Sequence, residues 1–574
     1  MAATWRAATL APFKSRIFLA IWTASLISSF GSLIQAVGAS WLMTSIAPSP
    51  DMVALVQAST ALPILLLSLP AGAIADIWDR RVIMLIAQGA MLVVSAVLAA
   101  VAYLGHITPW TLLALTFLLG CGGALYGPAW QSSVGEQVPK EEVPAAVSLN
   151  SLAFNLARTA GPAIGGVIVA TAGPPAAFVV NAATYIALIV VLGSWRRRIP
   201  APTLPPESMR MAMQAGLRYV LLSPAIRTVL VRGFFFGLMG SALWALMPVI
   251  AKDLLAGGAL TYGILFGAFG IGAVIGALLA TAIRQRFSSE IIVAFSSLAF
   301  GLTAIGVAFS PHTALSMALL LVSGAAWVLA LSTFNITVQI SSPRWVVGRA
   351  LAIYQMLTFG GLAAGSWLFG ELAEDRGIRI ALIVAGVAMV LSMVLGVRLR
   401  LPRAVGLNLD PFRKTPVPPN MTAEVVPQSG PVVINVEYLV APEDRDAFMI
   451  AMREMRRIRR RDGARRWTLM QDIDNPLMWT ESFQSATWLD YLRQRQRFTM
   501  ADREAALRVH AFHRSEQLPQ VRHLIERTPT TASHHKSEAE QLSERASVVD
   551  PNLPPSSMPV AVGEPEADRR RGSR

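Results

Sequence analysis

Runs of twenty or more apolar residues alternate with short polar gaps over the first four hundred positions. The runs fall near 17–43, 52–75, 82–104, 109–132, 150–172, 175–195, 226–250, 260–283, 289–309, 313–336, 349–373 and 378–397. A bilayer core takes roughly 20 apolar residues of helix, so each run is long enough to cross it. The pattern predicts an all-α polytopic membrane domain of twelve transmembrane helices. The longest connection, 196–225, begins Arg-Arg-Arg-Ile-Pro and divides the helices into two bundles of six, 17–195 and 226–400, behind a short lead at 1–16. From Arg398 onward the charges become dense, and a proline-rich connector at 401–430 leads into a soluble segment.

Within that segment the period changes. Residues 432–440 alternate like a strand, and 442–461 place Phe448, Met452, Met455 and Ile458 at helical spacing. Two further strands, 467–473 and 477–483, flank Asp474-Asn475-Pro476, a turn signal. Helices are expected at 488–497 and 502–512, giving β-α-β-β-α and a small α+β domain over 431–526. Positions 527–574 are polar and sparse in aromatics, the composition of a disordered tail.

Composition sharpens this division. Hydrophobic residues make up 54% of 574 and charged ones only 15%, with a mean hydropathy of +0.51. A soluble chain carries about a quarter charged residues. The net charge of +14 is assigned to juxtamembrane loops beside anionic lipid, so no nucleic-acid partner is expected. Arg80, Arg81, Lys140, Arg196, Arg197, Arg198, Arg284 and Arg286 fall on the face that an even span count shares with the N-terminus. The other face offers Lys252, Arg376 and Arg379. The positive-inside rule then puts both termini in the cytoplasm and the chain in the cytoplasmic (inner) membrane. Cys121, the single cysteine, excludes an internal disulfide, and no small-residue cleavage site follows the first run, which is read as retained.

The charged gap after the second span reads Gly72-Ala-Ile-Ala-Asp76-Ile-Trp-Asp79-Arg80-Arg81. It resembles the loop between the second and third helices of major facilitator transporters. Asp79 departs from the pattern, standing where that family usually has a second glycine. The resemblance implies a conformational gate built from Gly72, Asp76, Asp79, Arg80 and Arg81, with Gly72 allowing close helix approach. A weak internal repeat agrees with duplicated halves: Arg80 follows Gly72 by eight residues and Arg284 follows Gly276 by eight, an offset of 204 (284 − 80 = 204). The same offset pairs Gly161 with Gly365 and Gly166 with Gly370, while Asp76 maps to Ala280.

The fifth span contains Asn155-Leu-Ala-Arg158-Thr-Ala-Gly161-Pro162-Ala-Ile-Gly165-Gly166. An arginine in hydrocarbon is expensive and should face a cavity or a partner. Arg158, with Asn155, is therefore a candidate for the transport path or for an internal charge lock, placed about two turns into its helix. Gly161, Gly165 and Gly166 permit close packing and Pro162 a bend, a reading that needs no cargo contact. Gly-Pro-x-x-Gly-Gly resembles the fifth-helix motif of major facilitator exporters. Together with Leu69-Pro-Ala-Gly-Ala-Ile-Ala-Asp76, it resembles the enterobactin-exporter-like branch, also called transmembrane secretion effectors, over roughly the first 400 residues. The fourth-helix arginine common in drug–proton antiporters is absent between Leu115 and Trp130, and no acid lies at the centre of a span.

That resemblance implies secondary active export of a small organic molecule (siderophore-like, drug-like or another secondary metabolite) by alternating access, driven by an ion gradient with protons as coupling ions. The soluble domain resembles antibiotic-biosynthesis-monooxygenase-type ferredoxin-like modules, which implies homodimerisation through it. The alternative is a membrane-anchored enzyme or sensor whose activity lies in that domain, with Asn435, Trp488, His510 and His513 as its polar and aromatic candidates. Arg493, Arg495 and Arg497 occupy the helix where relatives acting on haem or quinones carry a histidine. Metal-ligand spacing, a phosphate loop and a nucleophile–base signature are missing, so no cofactor, metal or catalytic residue is expected.

Overall fold

The structure is a computed structural model that describes residues 11–47, 49–139, 142–195, 209–343, 345–402, 408–410, 412 and 425–527. The tail from 528, most of the proline-rich connector, the first ten residues and the 196–208 stretch of the linker lie outside the described residues.

Six helices form the first bundle: α1 (Arg16–Ile46), α2 (Pro50–Ile77), α3 (Arg80–Tyr103), α4 (Pro109–Gln137), α5 (Val143–Ala172) and α6 (Pro174–Ser194). A connecting helix, α7 (Met209–Leu222), precedes the second bundle: α8 (Pro224–Val249), α9 (Ala259–Arg286), α10 (Ser289–Ala308), α11 (Thr313–Ile340), α12 (Val347–Arg376) and α13 (Ile378–Leu391), which α14 (Met393–Arg398) extends. The starts follow from local sequence. Pro50, Pro109, Pro174 and Pro224 each open a helix, where a missing N–H loses nothing. Ser15, Asp79, Thr108 and Ser288 accept backbone N–H groups as N-caps.

Among the described residues, ten helices are long and apolar enough to cross a bilayer. Among the described residues the eleventh run, α12, falls short of that measure although the helix is 30 residues long, and of α5, also 30 residues long, the described stretch Leu156–Ala172 is predominantly apolar. In α12, Arg349, Tyr354 and Gln355 at one end and Glu371, Glu374 and Asp375 at the other lower the mean. Both helices face the other bundle: α5 packs on α9 and α12 on α2.

The offset of 204 is visible in the fold. Gly173, at φ 77°, ends α5 and Gly377, at φ 87°, ends α12 (377 − 173 = 204); each occupies the left-handed region that favours glycine. Gly165 packs its backbone against Ile34 of α1, and Gly365 packs against Leu238 of α8 (238 − 34 = 204).

The halves meet unevenly. On the face away from the chain ends, Gly166 abuts Gly263 of α9, and Gly370 abuts Asp51 and Ala54 of α2. On the terminal face a cavity of about 290 Å³ separates them, lined by Leu69, Gly72 and Ser132 of the first half and Met213, Trp345 and Arg349 on the other side. The molecule is open on its terminal face and closed opposite.

The appended domain contains β1 (Val432–Leu439), α15 (Arg445–Asp462), β2 (Arg465–Gln471), β3 (Met478–Ser485), α16 (Trp488–Arg497), α17 (Met500–His510) and β4 (Gln520–Ile525). All strand pairs are antiparallel, in the order β2-β3-β1-β4. That is the interleaved order of a split β-α-β unit. Val432, Ile434, Val436 and Tyr438 point to one face and bury against Phe448, Met452 and Met455 of α15. The domain rests on the membrane bundle through arginines. Arg461 lies over the Tyr219 ring at 5.1 Å and Arg497 over Trp345 at 4.5 Å, while Arg218 Nε donates to the Arg461 carbonyl at 3.3 Å.

Candidate functional site

The charged gap between α2 and α3 becomes a clasp within the first half. Asp79 Oδ1 accepts from the Arg81 N–H at 2.9 Å and caps α3. Arg80 Nη1 donates to Glu136 Oε1 at 2.6 Å and to the Ser132 carbonyl at 2.8 Å, both on α4. Arg81 donates from Nε to the Leu192 carbonyl at 2.8 Å and from Nη2 to that of Gly193 at 2.6 Å, closing the free C-terminal end of α6. Asp76 lies in the last turn of α2, and its side chain is outside the described residues. Gly72 has no neighbour within 4 Å of where a Cβ would stand. In this state it lines the cavity and makes no close helix approach. Glu136, in the last turn of α4, is the acid that completes the clasp.

In α5 the glycines divide between two neighbours. A Cβ on Gly161 would meet Leu33 at 3.0 Å and one on Gly165 the Ile34 Cα at 3.0 Å, both on α1, whereas Gly166 meets the Gly263 Cα at 2.8 Å across the interface. Pro162 sits inside a helix that continues to Ala172.

Arg158 is deeper than expected, because α5 begins at Val143 and not near 150. Fifteen residues precede it (158 − 143 = 15), or about 22 Å at 1.5 Å per residue. Its Cζ lies 5.1 Å from the Trp244 ring centroid and 5.8 Å from that of Phe269. Trp244 in turn stands edge-on to Phe269 at 4.9 Å and to Phe266 at 5.1 Å, and contacts Trp327 at 5.9 Å. The two tryptophans form an interior aromatic cluster, not the interfacial anchors that tryptophan statistics favour. Among the described residues no carboxylate pairs with Arg158. The side chain of Asn155 lies outside the described residues.

Other span polar groups are knitted together within one half. Gln35 Oε1 accepts from Ser95 Oγ at 2.6 Å and from Asn181 Nδ2 at 2.5 Å, and Asn181 also reaches the Tyr185 hydroxyl at 3.0 Å.

In the sheet domain the two histidines and Trp488 among the enzyme candidates make structural contacts, Trp488 against Tyr491, whereas Asn435 Oδ1 is buried without a hydrogen-bond partner among the described residues. His513 Nδ1 accepts from the Leu439 N–H at 2.9 Å, and His510 packs beside the Tyr438 ring. Burial, then the Arg459 charge, lowers the His510 pKa. Fully buried Glu481 is held by Arg459 at 3.2 Å, by Trp467 Nε1 at 2.8 Å and by the Tyr438 hydroxyl at 3.3 Å. No group of three metal-ligating side chains occurs among the described residues.

The profile of the family described as "Transmembrane secretion effector" matches residues 7–531. The chain belongs to that family. The match runs through the sheet domain as well as both bundles. Among curated relatives, the "Staphyloferrin A transporter" of Staphylococcus aureus is 25% identical over 64% of this chain and 92% of its own length. The "Multidrug efflux pump Tap" of Mycobacterium tuberculosis is 25% identical over 68% and 94%. The "Enterobactin exporter EntS" of Escherichia coli is 26% identical over 61% and 82%. In fold, an inward-facing, unoccupied bacterial homolog of the human lysosomal transporter Spinster superposes with a TM-score of 0.53 at 14% identity, covering 68% of this chain and 95% of that one. A POT family transporter in complex with 5-aminolevulinic acid gives 0.56 at 13% identity, over 67% and 96%. The major facilitator architecture is thus established. The chain is a multi-pass secondary transporter exporting small molecules, and the reading as a membrane-anchored enzyme is set aside.

Proposed function

We propose that this transporter exports a siderophore-like or drug-like organic molecule from the cytoplasm across the inner membrane by alternating access. The cavity on the terminal face carries the reading: it lies between the halves, while the glycine crossings on the opposite face are shut. The excess of basic residues on the terminal face supports a cytoplasmic orientation for both ends. Cargo would then load from inside and leave when the halves rock the other way.

In this reading Gly72, Asp76, Asp79, Arg80 and Arg81 form the gate loop, Gly161, Pro162, Gly165 and Gly166 the pivot, and Asn155 and Arg158 the path. Protons supply the driving gradient. The sheet domain pairs two copies through the face away from α15, where Val433, Leu439 and Leu524 are only partly covered.

Comparing extracellular metabolites of deletion and complemented cells tests export; an unchanged profile would sink it. Reporter fusions after Arg16 and Arg403 test orientation, and a non-cytoplasmic signal from either contradicts it. Loss of export with a protonophore while ATP is maintained checks the coupling, and in-cell crosslinking of the sheet domain checks the pairing.

A further inference from the structure

Within a membrane a guanidinium needs something to share its charge. Two ion pairs of the bundles lie at the terminal face: Arg80 with Glu136 and Arg232 with Glu290, each at 2.6 Å. Arg158 is half-way along α5, and among the described residues it has only the rings of Trp244 and Phe269. A ring face shares a cation's charge less completely than a carboxylate does in a medium of low dielectric. The site is left with positive potential.

A second observation points the same way. Trp244 Nε1 is buried and has no acceptor among the described residues. A buried donor without a partner is rare and destabilising. Arg158 and Trp244 are adjacent, both are donors only, and neither side chain contains an acceptor. What satisfies both is an anionic oxygen.

The place fits a cargo group. Arg158 comes from the first half, and Trp244 and Phe269 come from the second. The backbone around Arg158 touches Gly270 of α9, and Thr159 Oγ1 donates to the Gly270 carbonyl at 3.3 Å. Phe266, Phe269 and Trp327 pack flat apolar rings around Trp244; they are buried in this state and would meet a cargo only when the halves part.

We infer that Arg158 and Trp244 form an anion-binding point for cargo, taking a carboxylate or phenolate oxygen whose organic body packs on the Trp244–Phe266–Phe269 surface. This rests on the proposed export function and adds a substrate class to it: organic anions with an aromatic or similarly flat apolar part. A neutral amide of the same shape leaves the charge uncompensated, and a cation is repelled. Because the point is shared between the halves, an arriving anion also removes an unpaired charge from the interface that must move.

The test uses the purified full-length chain in nanodiscs with three probes: salicylate, its neutral amide salicylamide, and tetraphenylphosphonium. The native protein should bind salicylate at least about tenfold more tightly than salicylamide, a gap of about 1.4 kcal/mol. Arg158→Gln should abolish that preference by weakening salicylate alone, Arg158→Lys should keep part of it, and Trp244→Phe should reduce it. Normal gel-filtration behaviour and helical signal of the variants establish folding, and retained anion preference in Arg158→Lys guards against a folding artefact in Arg158→Gln. Absence of salicylate binding by the native chain, equal binding of both probes, or an undiminished preference in Arg158→Gln overturns the inference. Export is read separately. An anion preference that tracks Arg158, with unchanged extracellular metabolites on deletion, would defeat the export reading and spare the site. Full complementation by Arg158→Gln would defeat the site and spare export.

Discussion

Gly166 and Gly263 touch backbone to backbone: a Cβ on Gly166 would stand 2.8 Å from the Gly263 Cα, and one on Gly263 would stand 2.7 Å from the Gly166 Cα. Neither position can take a side chain without separating α5 from α9. The counterpart crossing, 204 residues on at Gly370, brings α12 against Asp51 and Ala54 of α2. Two glycine crossings thus shut the face opposite the cavity.

Gly166→Val should pry this seam apart and bias the molecule toward opening on that face. Cys121 is the only cysteine, so Cys121→Ser gives a clean background for spin labels at Thr171 and Leu260, both exposed near the seam. The label distance should lengthen by several ångströms in Gly166→Val, with transport reduced. An unchanged distance distribution would show that α5 and α9 absorb the extra methyls without opening.

The sequence displayed the helices readily because bilayer thickness imposes a length that apolar runs reveal. Features that depend on amphipathicity or on edge pairing were harder to read. The proline-rich start of the linker hid α7, which carries Tyr219 toward the sheet domain, and β4 follows a polar stretch with no clear alternation. Arg158 was recognisable as an anomaly, but its depth was not, since α5 extends seven residues before the apolar run (150 − 143 = 7). Trp244 gave no signal of its own. Tryptophan near a span end usually marks the interface, and only tertiary packing sets its ring beneath the guanidinium. The Arg80–Glu136 pair escaped because the partners are 56 residues apart and Glu136 has no motif around it.

That pair makes a kinetic prediction. Both side chains are partly exposed, at 24% and 18%, so the contact should contribute only about 0–1 kcal/mol to stability. Its effect should appear in the transport cycle. Glu136→Gln should lower the maximal rate severalfold with cargo affinity nearly intact, and Asp76→Asn should do the same from the other side of the loop. The exchange Arg80→Glu with Glu136→Arg should recover part of the rate. A large affinity loss at constant maximal rate in either single variant would remove the clasp from the gating role.

The Arg497–Trp345 contact joins the sheet domain to the cavity rim, since Trp345 also lines the cavity. A cation over an indole contributes roughly 0.5–1 kcal/mol where water has access. Trp345→Ala should therefore loosen the docking without unfolding either part. Hydrogen exchange should accelerate in Met209–Leu222 and near Arg461, and remain unchanged in β1 and β3. Acceleration throughout the sheet would instead make Trp345 a support of the domain itself.

Acid should weaken the sheet domain through His523. Its Nε2 lies 2.5 Å from the Tyr491 hydroxyl, and burial, followed by the Arg495 charge, depresses its pKa below the ordinary 6.5. The unfolded chain then binds a proton that the folded one resists. Stability is intact above about 6.5 and is lost as pH falls from there through the depressed folded value. Asp462 works in the opposite sense: burial, opposed by Arg461, pushes its carboxyl up to about 6, so its folded form loses stability as pH rises toward that value. The two separate in a comparison with His523→Gln, which keeps an acceptor for Tyr491 and leaves Asp462 untouched. Between pH 7 and pH 5, exchange of the β4 amides, normalised to the intrinsic rate at each pH, should accelerate more in the native chain than in His523→Gln. Equal acceleration in both would assign the acid sensitivity to another group.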